Sequence, residues 1–113
     1  MAPDSADPPV FSLDVTTDAG GRTTVAVAGE LDIATAGELS DAVRAGFGTG
    51  AVVLDLRDVT FMDSSGVRAL NGALRDAERG GRELWVLEGL QPSVLQVLEL
   101  TGMLGLLPVG QPR

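Results

Sequence analysis

The 113-residue chain contains no cysteine, histidine, tyrosine or lysine. Without cysteine there is no disulfide framework and no thiolate metal site. Without histidine, a serine triad lacks its usual base. Without lysine, Schiff-base chemistry and the lysine-bearing phosphate loop of ATPases are both excluded. Only carboxylates, hydroxyls and arginine remain for catalysis, so the expectation is a non-enzyme with no catalytic residues, no metal and no cofactor. Positive charge is also scarce: 8 arginines face 16 acidic residues, for a net charge of −8. That balance disfavours nucleic acid, whose affinity comes largely from neutralised phosphates, and anionic membranes. It suits docking to a basic protein surface. Aromatics amount to 4%, namely Phe11, Phe47, Phe61 and Trp85, which implies an aliphatic core. No apolar run reaches membrane-spanning length, and Met1 to Ser5 lack the basic start and apolar centre of a secretion signal. The cytoplasm is the expected location.

What is present reads as one domain. Residues 1–9, with Pro3, Pro8 and Pro9, read as a tail, residues 10–109 as the domain, and 110–113 as a second tail. Phe11, Leu13 and Val15 alternate with polar residues, as in a half-exposed strand. The turn Asp18-Ala19-Gly20-Gly21 leads to a second strand over Thr23 to Ala28, forming a hairpin. Thr35 and Glu38 have capping-box spacing ahead of a helix carrying Ala36, Leu39, Val43 and Phe47. Ala51 to Leu54 is an apolar run suited to a central strand. A second helix starts near Ser64, with Val67, Leu70, Leu74 and Ala77 as its buried stripe and Gly80-Gly81 as its end. Leu84 to Leu87 is another buried strand. The third helix has Pro92 in its first turn and Gly102 as its cap, with Met103 packing back. Leu104 to Val109 supply a short last strand. Strands alternating with single helices give an α/β domain with crossover helices and a mostly parallel sheet, to which the initial hairpin adds one antiparallel strand. Function in such sheets concentrates at the carboxyl ends of the parallel strands. Gly29-Glu30-Leu31-Asp32 and the loop Arg57 to Ser65 leave those ends on the same edge, so they are expected to be neighbours in space.

The stretch from Asp55 to Gly66 is the most informative. Phe61 and Met62 read either as an anchor holding the loop to the core or as a partner-binding patch. Asp63, Ser64 and Ser65 are favoured N-cap types, and they also suit phosphorylation, because a phosphate at a helix N-terminus meets free amides and the positive end of the dipole. The two readings are compatible if one hydroxyl caps and the other is exposed. The acidic set Asp32, Asp55, Asp58 and Asp63 raises a magnesium site as a competing idea. Receiver domains, which hold magnesium at a similar strand end, resemble one another in a nearby lysine that this chain lacks.

Asp63-Ser64-Ser65-Gly66, preceded by Phe61-Met62, resembles the phosphoserine loop of the STAS domain found in the sporulation and general-stress anti-sigma factor antagonists. Gly29-Glu30-Leu31-Asp32 with Thr35, Ala36 and Leu39 is similar to a second landmark of that family, and Leu100-Thr101-Gly102-Met103 to a third. The resemblance runs from about Phe11 to Val109. It departs from the pattern after the last strand, where relatives usually continue into another helix and this sequence stops at Arg113. It implies a single STAS-type domain that, unphosphorylated, binds an anti-sigma factor doubling as an ATP-binding serine kinase and so releases the sigma factor. Phosphorylation of Ser64, with Ser65 as the alternative acceptor, switches the antagonist off, and a serine phosphatase restores it. The implied docking surface comprises Glu30, Asp32, Phe61, Met62, Asp63, Ser64, Ser65 and Gly66. Asp32 reads equally as a turn or cap residue. A monomer is the family expectation. The competing implication is a non-switching STAS scaffold subunit of a stress-sensing or transport complex.

Overall fold

A computed structural model describes residues 11–110. The tail assigned to residues 1–9 lies outside the described residues, as do residues 111–113. The chain forms β1 (Phe11–Thr17), β2 (Thr23–Leu31), α1 (Ala36–Phe47), β3 (Val52–Met62), α2 (Ser64–Gly80), β4 (Leu84–Val86) and α3 (Pro92–Leu100). The sheet runs in the order β1-β2-β3-β4. β1 is antiparallel to β2, and β2–β3 and β3–β4 are parallel. This is the expected mixed α/β domain with one antiparallel edge.

Local chemistry explains the element ends. The β1–β2 turn closes because the Asp18 carboxylate accepts from the amides of Gly20 and Arg22 at 2.9 and 3.0 Å, while Gly21 takes a φ of +89° that favours glycine. In β2, Thr23, Val25 and Val27 turn inward, and the two valines meet Leu39 and Val43 of α1 and Val52 and Leu54 of β3 in one aliphatic core. The α2 stripe is buried at Leu70, Ala73 and Ala77, with Val67 and Leu74 packed at its margin. The helix stops where Gly81 turns left-handed. Pro92 begins α3, and Met103 folds back into the core beyond Gly102, whose φ is +78°.

Three expectations are corrected. The last strand does not form over Leu104 to Val109. Amides of Leu106 and Leu107 both donate to the Met103 carbonyl, coiling the segment so that Met103 and Leu107 are buried. Only Val109 aligns with Val86, in a single parallel bridge. The Gly110 amide donates to Val86 at 2.8 Å, so Gly110, assigned to the tail, is tied to the sheet.

The segment Arg57 to Met62 is strand rather than loop. β3 pairs with β2 as far as Leu31↔Met62, with register shifts between Ala26 and Ala28 and between Gly29 and Glu30. Those irregularities break the simple two-residue alternation, so the polar residues Arg57, Asp58 and Thr60 read as loop. Short β4 leaves this half of β3 without a strand on its far side. Side chains from the start of α3 occupy that edge: Gln91 donates to the Arg57 carbonyl at 3.1 Å and Ser93 to the Thr60 carbonyl at 2.9 Å.

Thr35, finally, does not form a capping box. It sits at the N-cap position without a side-chain cap. Its hydroxyl instead accepts from the Asp32 amide and donates to the Glu30 carbonyl, both at 2.9 Å. The first amides of α1 are served by backbone, with Ala36 donating to the Asp32 carbonyl at 2.8 Å.

Candidate functional site

The two segments expected to be neighbours are joined directly. Glu30 pairs with Phe61 and Leu31 with Met62 in the β2–β3 register, and the Asp63 amide donates to the Leu31 carbonyl at 3.2 Å. The β2–α1 turn and the start of α2 therefore form one continuous surface at the carboxyl end of the sheet.

On this surface Asp63 is extended, at φ −111° and ψ −168°, and its carboxylate accepts from the amides of Ser65 at 2.8 Å and Gly66 at 3.4 Å. The cap is thus the aspartate, and neither serine hydroxyl performs it. Ser64, the first helical residue, is exposed, whereas Ser65 is half-buried. Gly66 is buried against the β2 end, and a Cβ there would meet Met62 Cγ at 2.7 Å and the Leu31 carbonyl oxygen at 3.0 Å. Only glycine lets the first turn of α2 lie this close to β2.

Phe61 and Met62 divide the two roles between them. Met62 is 2% exposed and belongs to the core, whereas Phe61 is 47% exposed. Met62 and Gly66, both assigned to the docking surface, support that surface from beneath and present little of themselves to a partner. Glu30 is exposed and Asp32 half-buried. Asp32 makes the turn contacts of an aspartate at a helix start, its carboxylate accepting from the Ala34 amide at 3.0 Å.

The acidic set does not assemble. Among the described residues no three acidic groups lie together at metal-binding spacing. Asp55 and Asp58 instead line a different depression with Ser12 and Asp14. Asp55 is engaged by Arg57 through two contacts of 2.8 and 2.9 Å, and this hydrogen-bonded pairing holds its carboxyl below the usual value against a smaller opposing effect of burial.

Two residues of this surface escape sequence reasoning. Ile33 is 84% exposed, and Arg68 is exposed one turn after Ser64. Both line an open groove of about 330 Å³ between α1 and α2, with Ser65 beside them. Ile33 belongs to no periodic stripe, and Arg68 lies among ordinary polar helix positions. The signal for Arg68 was its spacing of four from Ser64.

The four-stranded sheet, its single antiparallel edge and the serine at the start of α2 define an α/β domain with an exposed hydroxyl at the carboxyl end of its central strand. The chain belongs to the STAS-domain family: the family model described as "Mlab, STAS domain" matches residues 15–108. It is 32% identical over 89 residues to the anti-sigma-B factor antagonist of Staphylococcus aureus, covering 77% of this chain and 82% of that protein. The fold is similar to the crystal structure of an anti-sigma factor antagonist from Mycobacterium paratuberculosis, with a TM-score of 0.75, 27% identity and coverage of 98% of this chain and 90% of that one. It also matches the Bacillus cell fate determinant SpoIIAA in its phosphorylated form, with a TM-score of 0.68, 18% identity and coverage of 88% and 92%. Among the described residues no helix is long and apolar enough to cross a membrane.

Proposed function

We propose that this chain is an anti-sigma factor antagonist controlled by phosphorylation of Ser64. Unphosphorylated, it binds an anti-sigma factor that is also an ATP-using serine kinase, and the sigma factor is released. The kinase then modifies Ser64, the complex separates, and a serine phosphatase resets the cycle. The protein itself is not an enzyme, carries no cofactor, and acts in the cytoplasm as a monomer.

The exposure of Ser64 is the observation that carries this reading. Its hydroxyl stands at the head of α2, free of hydrogen bonds among the described residues, while Ser65 is half-buried. A kinase reaches an exposed hydroxyl without unfolding the helix. Asp63 precedes it in the chain, Glu30 and Phe61 pair at the adjoining end of the sheet, and Asp32 and exposed Ile33 follow in the next turn. A partner complementary to this edge is basic or rich in hydrogen-bond donors around an apolar centre.

The test is incubation with the cognate kinase and ATP, followed by peptide mapping. One phosphate is expected, on Ser64, and none in Ser64→Ala. Incorporation at the wild-type rate in Ser64→Ala would move the acceptor elsewhere. A partner whose binding is indifferent to Ser64 would favour the scaffold role.

A further inference from the structure

We infer that Arg68 receives the phosphate of Ser64, holding it on the outer face of α2 and drawing its own guanidinium out of the α1–α2 groove. This rests on Ser64 as the acceptor.

A phosphate at a helix start ordinarily takes the free amides of the first turn. Here they are already taken. The Asp63 carboxylate holds the amides of Ser65 and Gly66, and the Val67 amide donates to the Asp63 carbonyl at 3.1 Å. Only the amide of Ser64 itself remains in that turn. The neighbouring charges are unfavourable as well: Asp63 adjoins Ser64, Glu30 lies at the end of β2, and Asp32 lies in the turn after it. A phosphate of about −1.5 to −2 charge is repelled from that side and needs a cation on the other.

Arg68 is that cation. It stands four residues after Ser64 on the same helix, a spacing at which side chains meet. Helical side chains tilt toward the N-terminus, so a residue covers the turn before its own. From its place in the groove beside Ser65, the Arg68 side chain is within reach of a phosphate on Ser64 by rotation about its own bonds. Arg44, Arg57 and Arg79 each pair with a carboxylate. Arg68 is exposed and has no ion pair or hydrogen bond among the described residues. Its planar fork donates to two phosphate oxygens at once. It also lines the groove with Ile33, Gly37 and Ser65, so pairing with the phosphate removes a positive group from that groove. Phosphorylation then changes two adjoining surfaces through one residue.

The test uses protein carrying phosphoserine at position 64, installed during translation so that no kinase is needed. The second ionisation of the phosphate, ordinarily near pH 6, is followed by phosphorus NMR. Wild type is compared with Arg68→Gln and with Arg75→Gln, which removes the same charge from an exposed position two further turns along α2. The expected result is a second pKa raised by about 0.2–0.4 in Arg68→Gln, with Arg75→Gln close to wild type. Equal values in all three proteins, or an equal rise in both variants, would overturn the pairing. Because no kinase is involved, failure of Ser64 as the natural acceptor shows in peptide mapping and leaves this readout unaffected.

Discussion

Ser64 and Ser65 are neighbours in sequence, yet the helix start gives them different surroundings. Asp63 draws the Ser65 amide toward it at 2.8 Å, and Ser64 is left facing solvent. Asp63 is therefore both a charge beside Ser64 and the cap that starts its helix. Asp63→Ala is expected to cost about 0.5–2 kcal/mol of stability in urea unfolding. Gly66→Ala, which forces a methyl against Met62 and the Leu31 carbonyl, should cost about 1–3 kcal/mol; an unchanged urea midpoint would show that the α2 start is free to move. Asp55 allows a test by pH. Its folded carboxyl lies below the usual value because of the Arg57 hydrogen bond. A lowered folded value stabilises the protein above the unfolded carboxyl range and is lost as pH falls through the folded value. Arg57→Gln should therefore be less stable than wild type at pH 7, with the difference narrowing below about pH 4. A constant gap down to pH 2 would contradict the role given to that pair.

At the scale of elements, the sequence pattern served well wherever periodicity was simple. The hairpin, the three helices and the central apolar strand are all visible in alternation, helical spacing and glycine stops. So was the meeting of the Glu30 and Ser64 segments, since parallel neighbouring strands deliver both to one edge. The extension of β3 was not legible, because register shifts at Ala26–Ala28 and Gly29–Glu30 place Arg57, Asp58 and Thr60 where polarity resembles a loop. The missing last strand has a similar cause. Apolar Leu104, Leu106 and Leu107 satisfy a strand pattern equally well when the chain coils back on Met103. The division between buried Met62 and exposed Phe61 follows from strand alternation once β3 is known to continue that far. The side chains of Gln91 and Ser93 seal the edge that short β4 leaves open. Ser93→Ala should speed amide exchange in the first turn of α3 and lower overall stability by no more than about 1.5 kcal/mol. Exchange unchanged throughout α3 would show that its packing, through Val94 and Leu98, suffices without that bond.

For the whole molecule, charge and rigidity act together. The chain begins at −8, and one phosphate brings it to about −10. The added charge falls on an edge where Glu30, Asp32 and Asp63 are already gathered and where docking demands desolvation. The core beneath that edge, including Leu31, Met62 and Leu70, gives no reason for the fold to yield, so the effect on binding is expected to be local and electrostatic. Ser64→Asp should reproduce part of it, and Ser64→Ala should leave binding intact. Calorimetric titration of the cognate anti-sigma factor with unmodified and Ser64-phosphorylated protein tests the switch most directly. Phosphorylation is expected to weaken binding at least about tenfold, or about 1.4 kcal/mol, with circular dichroism and the thermal midpoint of the free protein close to unchanged. Equal affinity for the two forms would contradict the switch.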